Sequence, residues 1–274
     1  MKPRPILHDS TQKAVDAFVE MPSHALGLIG PAGAGKAYLA EYISRQILDN
    51  APPSAVHYLR PEPSTITIEQ IRSLQNFLIL KVPGKQPIRR VVIIEQAETM
   101  GDEAQNALLK TLEEPPADTV FILTTDGAAG LRPTIYSRIQ QIRVLPITRD
   151  TAAKRFSGDI TKAYHLSGGY VGMLHGLLND KDHVLTQSVQ TAKEIMRLPM
   201  FERLTMIDGI AKDKFQIAQV FYALERVIGA ALVTGSETQA KRLVGSLRAV
   251  YQVKMDLGKS ANPKLLLTDL FLSL

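Results

Sequence analysis

The sequence contains no cysteine. That absence excludes disulfides, thiolate-ligated zinc, iron–sulfur clusters and any cysteine nucleophile, and it fits a reducing compartment. No stretch approaches the ~18 uninterrupted apolar residues that a membrane span needs. Residues 1–10, MKPRPILHDS, lack the apolar core of a secretory signal, so a soluble cytoplasmic protein is the expectation. Internal repeats and low-complexity tracts are also absent. What remains is ordinary globular composition, 45% hydrophobic and 22% charged over 274 residues, enough for about two domains without covalent staples. The net charge of +5 is unevenly placed. Residues 1–148 carry 15 Lys and Arg against 15 Asp and Glu, whereas residues 149–274 carry 17 against 12. The excess permits an anionic partner at the second half without naming one.

Short apolar runs alternate with longer amphipathic segments through the first 145 residues, the pattern of a parallel sheet with crossover helices. Strands are expected at Ala25–Ile29, Ala55–Leu59, Val91–Glu95, Val120–Thr125 and Ile139–Val144. Helices are expected near 10–20, 35–49, 68–80, 102–114 and 131–137. Gly101-Asp102 offers a cap to the fourth helix, and Pro115-Pro116 forbids its continuation. After Pro146 strand-like runs disappear. A small helical unit near 148–180 is broken at Ser167-Gly168-Gly169, and five helices follow near 184–196, 200–211, 214–234, 237–257 and 262–273. The reading is an α/β phosphate-loop sheet with helices on both faces over 1–147, a small helical lid over 148–183 and an all-α domain over 184–274.

Gly30-Pro31-Ala32-Gly33-Ala34-Gly35-Lys36-Ala37 follows an apolar strand and opens a helix, the context that makes G-x-x-x-x-G-K a phosphate loop. Glycines let backbone N–H groups point inward around a phosphate, the helix N-terminus adds its dipole, and Lys36 reaches the outer phosphates. Position 37 ordinarily carries a hydroxyl for Mg²⁺, and alanine offers no oxygen. The acidic element that ends a buried strand reads Val91-Val92-Ile93-Ile94-Glu95-Gln96-Ala97-Glu98. Glu95 is one methylene longer than the usual Asp at the Mg²⁺ position, and Gln96 stands where a general base polarises water. A neutral amide takes no proton, and loss of a positioned base costs ~10²–10⁴-fold in rate.

Ser23–Leu26, Ile68–Gln75, Ala104–Pro116, Leu131–Arg138 and Asn262–Leu272 together resemble the AAA+ subunits of the bacterial DNA polymerase III clamp loader. The resemblance spans essentially the whole length, and the run from Asn106 to Pro116 is its most specific part. It implies an AAA+ sheet followed by a helical lid and an all-α collar that packs against neighbouring subunits. The departures at Ala37 and Gln96, with Gly172 in the region where active relatives place a sensor arginine, point to a member that does not hydrolyse ATP. The resemblance also assigns Ser137-Arg138 to the subunit boundary, with Arg138 as an arginine finger reaching a neighbour's ATP. Ile139 replaces the usual cysteine there. Asn50–Ala55 stands where many relatives insert a four-cysteine zinc module, so no zinc is implied. No cofactor is required, while ATP, ADP, phosphate or sulfate fits the degenerate loop.

The implied partners are a gamma/tau-like ATPase and a delta-like clamp opener, with the sliding clamp and primed DNA reached through the assembly. An active clamp-loader ATPase with an unusual site and a solitary DNA-binding AAA+ protein are the alternative readings. Smaller features carry two readings each. Thr124-Thr125 fits a γ-phosphate sensor, with Thr125 as its vestige, or a plain strand end. His24 fits packing or a ligand, and Arg89-Arg90 fits solvated strand flanks or a DNA contact. Met196, Met200 and Met206 read as core filler.

Overall fold

Runs such as Val91–Ile94 and Val120–Leu123 have no polar alternation, which only a strand covered on both faces can accept. The computed structural model describes residues 3–49, 52–80, 86–127, 130–179, 184–212, 214–257 and 262–274. They form two compact units, Met1–Ile147 and Thr148–Leu274. In the first, β1 (Ala25–Ile29), β2 (Val56–Leu59), β3 (Arg90–Ile94), β4 (Thr119–Thr125) and β5 (Gln140–Arg143) make one parallel sheet in the order β2-β3-β4-β1-β5. Every residue of β3 and β4 is buried, whereas β5 lies at one edge and buries only Ile142. The expected strands all form, with ends shifted by one residue at most.

The first unit's helices are α1 (Asp9–Glu20), α2 (Lys36–Leu48), α3 (Ile68–Ile79), α4 (Asp102–Glu113) and α5 (Pro133–Tyr136). A capping box starts α3: the Thr67 hydroxyl accepts from the Gln70 N–H at 3.3 Å, and the Gln70 side chain accepts from the Thr67 N–H at 2.9 Å. The start of α4 falls at the expected residue: Gly101 is the cap and Asp102 is the first helical residue, its charge meeting the positive helix end. Pro133 opens α5, two residues later than the expected start. Of the connection 50–55, residues 50 and 51 lie outside the described residues.

Buried polar side chains tie these elements together. Gln105 of α4 is 5% exposed; its amide donates to the carbonyls of Met100 and Gly130, both at 2.9 Å, and accepts from the Arg132 N–H at 2.8 Å. Gln75 of α3 donates to the Ala107 carbonyl and the Thr111 hydroxyl of α4. Arg90 is buried and donates to the carbonyls of Phe77, Leu78 and Leu80 and to Asp118, so it closes the carboxyl end of α3 and is no DNA-contact surface.

The second unit holds α6 (Arg149–Arg155), α7 (Ile160–Ser167), α8 (Val171–Asn179), α9 (Val184–Arg197), α10 (Met200–Thr205), α11 (Ile207–Ile210), α12 (Lys214–Thr234), α13 (Glu237–Leu257) and α14 (Pro263–Ser273). One core takes Leu166 and Met173 together with Val189, Ile195, Phe221, Leu224, Val250 and Phe271. The boundary expected at 183/184 adjoins residues 180–183, which lie outside the described residues. The helix expected over 200–211 is two, because the bonds at Met206 and Gly209 tighten to i→i−3 and interrupt the ladder. Met196 and Met206 pack against the core as expected, but Met200 is exposed at the start of α10. Gly168 ends α7 at φ 59°, and a Cβ there would meet Nη1 of Arg226 at 2.3 Å. That guanidinium lies over the rings of Tyr170 and Tyr222. Gln216–Val233 within α12 is long and apolar enough by composition to cross a membrane. Glu225 and Arg226 interrupt it, and Phe221, Leu224 and Ile228 are buried in the core.

The Asp118 carboxyl, 11% exposed, accepts from Arg90 at 3.0 Å and Arg89 at 2.9 Å. Burial pushes its pKa up, but the bonds from Arg90 and Thr119 and the charges of both arginines outweigh burial and hold it below the ordinary value. A carboxylate depressed in the folded state stabilises the fold fully above its unfolded pKa of about 4 and loses that contribution as pH falls through the folded value. Asp118→Asn should therefore cost about 2–4 kcal/mol at pH 7 by urea denaturation, and the gap to wild type should narrow below pH 4.

Candidate functional site

The loop between β1 and α2 sits at the carboxyl ends of the strands, next to the end of β4. Gly33 and Gly35 adopt φ of 78° and 91°, a conformation that side chains resist and that lets the chain wrap around an anion. Gly30 is pressed between layers, since a Cβ there would meet the Val144 carbonyl at 3.2 Å. Among the described residues, the N–H groups of Ala32, Gly33 and Gly35 donate to no backbone carbonyl. Pro31 and Ala34 close the turn, the Ala34 N–H donating to the Pro31 carbonyl at 3.1 Å.

Lys36 is 8% exposed, and its ammonium is spoken for by the protein itself. It donates to the Gly30 carbonyl, to the Pro31 carbonyl at 3.0 Å and to Asp126 Oδ1 at 2.6 Å. Sequence reasoning singled out Lys36 but not Asp126, which stands immediately after the Thr125 position. Thr125 is fully buried and donates to the Gly127 carbonyl at 2.9 Å, while the Thr124 hydroxyl accepts from the Gln96 N–H at 3.0 Å.

The acidic strand end is equally committed. Glu95 Oε1 accepts from Arg60 at 3.0 Å, and Arg60 in turn lies over the Tyr58 ring. Gln96 is exposed, with φ of 52°. Ala37 is exposed and brings no oxygen. These residues do not fit a Mg²⁺ ion: the hydroxyl is missing, the carboxylate is ion-paired, and the neighbouring amide is neutral. Glu98, at the end of the same run, accepts from the Asp126 N–H at 3.3 Å through Oε1, and its buried Oε2 has no hydrogen-bond partner. Burial and the Asp126 charge push the Glu98 carboxyl up, offset in part by its own backbone N–H, Lys36 and Thr125.

Ser137 and Arg138 lie elsewhere. They end α5 just before β5, and the register that pairs Leu26 with Gln140 and Ile29 with Arg143 puts them at the amino ends of the strands. The Ser137 hydroxyl donates to the Thr134 carbonyl at 3.0 Å. Arg138 donates to the same carbonyl at 2.9 Å and pairs with Glu113 at 2.8 Å, its side chain 34% exposed. Ile139 fixes the turn by burying its side chain against β1, where Gly27 leaves the room: a Cβ on Gly27 would meet Ile139 Cδ1 at 2.6 Å. Gly172 lies in α8 of the second unit.

A five-stranded parallel sheet with this order and loop, flanked by helices and followed by a helical unit, is the AAA+ phosphate-loop fold. A gamma subunit-related protein of DNA polymerase III from Thermotoga maritima shares it, with a TM-score of 0.55 and 21% identity over 96% of this chain and 98% of that one. Within that class the likeness is specific. Residues 49–148 match the family described as DNA polymerase III, delta subunit. The subunit delta' of Pseudomonas aeruginosa is 38% identical over 148 residues, covering 45% of this chain and 44% of that protein. The subunit delta' of Bacillus subtilis is 35% identical over 92 residues, 34% of this chain and 27% of that protein. The matched segments thus span less than half of these relatives' length. The replication factor C small subunit of Methanothermobacter thermautotrophicus is 23% identical over 88% of this chain and 84% of its own. The resemblance to bacterial clamp-loader subunits read from the sequence is borne out, and among them it is the delta-prime subunits of DNA polymerase III that this chain resembles.

The raised Glu98 carboxyl generates a test with a defined sign. An acid whose pKa is raised by folding stabilises the fold below its unfolded value, about 4, and loses that contribution as pH rises through the folded value. Glu98→Gln should remove this component, so the variant gains stability relative to wild type between pH 4 and pH 7, read by thermal melts at both. A loss that grows over the same interval would contradict the assignment.

Proposed function

We propose that this chain is a non-hydrolysing, delta-prime-like subunit of a DNA polymerase III clamp loader, helping to load the sliding clamp onto primed DNA and lending Arg138 to a neighbouring ATPase subunit. One observation carries the reading. The strand register separates Arg138 from the chain's own loop by the length of the sheet: Arg138 is level with His24, six residues before Gly30, or about 20 Å at ~3.3 Å per residue. Arg138 is therefore out of reach of its own phosphate loop and stands where a second subunit can meet it. Its hold on Glu113 is a partly exposed ion pair, worth no more than ~1 kcal/mol, so release toward a phosphate is inexpensive.

The companion half of the proposal is that the chain's own site does not turn over ATP. Ala37, Gln96 and Gly172 remove the metal ligand, the general base and the sensor arginine together, while Glu95 is paired with Arg60. The partners are then a gamma/tau-like ATPase and a delta-like clamp opener. An apolar stripe of Val244, Tyr251 and Met255 stands exposed at helical spacing on α13 and suits packing against neighbours in a collar.

The reconstituted clamp loader tests the role of Arg138. Arg138→Ala should leave the chain folded and assembled while DNA-stimulated ATP hydrolysis falls by this interface's share; at a single site an arginine finger is worth ~10³–10⁵ in rate. Arg138→Lys should restore only part, because lysine lacks the planar fork. Hydrolysis and clamp loading equal to wild type in Arg138→Ala would reduce Arg138 to a surface residue.

A further inference from the structure

Lys36 and Asp126 form an ion pair whose two ends differ. The ammonium is buried, its side chain 9% exposed, whereas the carboxylate is half in water at 51%. A phosphate entering the loop needs the same ammonium, and with Asp126 in place it meets a negative charge where it needs a positive one. Glu98 adds to this, since its Oε1 takes the Asp126 N–H and its carboxyl lies within electrostatic reach of both Asp126 and Lys36. The loop's free N–H groups at Ala32, Gly33 and Gly35 are untouched by this pairing. The cradle is thus intact, and only its cation is masked.

We infer that Asp126 is an intramolecular competitor for the phosphate loop, so that the loop accepts a magnesium-free di- or triphosphate only when the Asp126 carboxylate swings off Lys36 into solvent. The inference rests on the proposal that Gly30–Lys36 is a degenerate phosphate loop, and it assigns that loop a ligand class and the residue that sets its affinity. Magnesium independence follows from the same geometry, because Ala37 and the paired Glu95 leave the ion no ligand set. The exposed end is the one that moves: among the described residues the Asp126 carboxylate bonds to Lys36 alone, whereas Lys36 keeps the Gly30 and Pro31 carbonyls when the pair opens.

Titration of the full chain with ADP and with inorganic pyrophosphate, in EDTA and again in Mg²⁺, tests this. Asp126→Asn keeps the side-chain shape without the charge, and it should bind both probes at least about fivefold more tightly than wild type, equally in EDTA and Mg²⁺. Asp126→Ser serves as a second variant if the asparagine form fails to fold. The gain should vanish when Lys36→Ala is added to Asp126→Asn. Equal affinity in wild type and Asp126→Asn, with both lost on Lys36→Ala, would overturn the competition while leaving the phosphate-loop reading in place. No binding by any form at millimolar probe would overturn both. A gain that survives Lys36→Ala would put the anion elsewhere and overturn the competition as well.

Discussion

An ammonium shielded from water has to be matched by oxygen atoms, and at the mouth of this sheet the oxygens come from the protein. Lys36 is drawn inward by two loop carbonyls and Asp126, and that single set of contacts joins β1, the loop, α2 and the end of β4. The left-handed glycines make the loop tight enough for its carbonyls to reach the lysine. The loop is thus held closed by its own contacts, in a chain whose position 37 brings no oxygen and whose position 96 is a neutral amide. Glu95 shows the same logic at the adjoining strand, where its carboxylate is matched by Arg60.

The other end of the sheet is organised by different forces. There the chain turns from α5 into β5, and the turn is fixed by Ile139 packed over Gly27 and by the amide of Gln105, which holds the carbonyl of Gly130 and the N–H of Arg132. Arg138 is consequently presented from a packed turn, with the Thr134 carbonyl and the partly exposed Glu113 carboxylate as local partners. The closed loop and the partly exposed guanidinium thus stand at opposite ends of the strands.

Much of the fold was legible because apolar continuity and breakers are local signals. Unbroken runs at 91–94 and 120–123 define buried strands, and Pro115-Pro116 and Gly168-Gly169 end helices wherever the rest of the chain goes. The loop and the losses at Ala37 and Gln96 were legible too, since each is a matter of side-chain chemistry at a known spacing. What escaped was pairing across distance. Asp126 lies ninety residues from Lys36, Arg60 thirty-five from Glu95, and Gln105 reads as an ordinary helix residue until its three backbone partners are seen. The interruption near Met206 and the exposure of Met200 escaped for a related reason: helical spacing predicts an amphipathic run but not which turn yields to tertiary packing. Arg90, read as a solvated flank or a DNA contact, is instead buried against the carbonyls at the end of α3, which no local pattern announces.

The central claim is that this chain keeps the phosphate-loop framework without its hydrolytic chemistry. Steady-state ATP turnover by the isolated full chain in excess Mg²⁺, measured beside Lys36→Ala, tests it most directly. The account predicts that both proteins give the same background rate. A turnover well above that background which Lys36→Ala abolishes would contradict it.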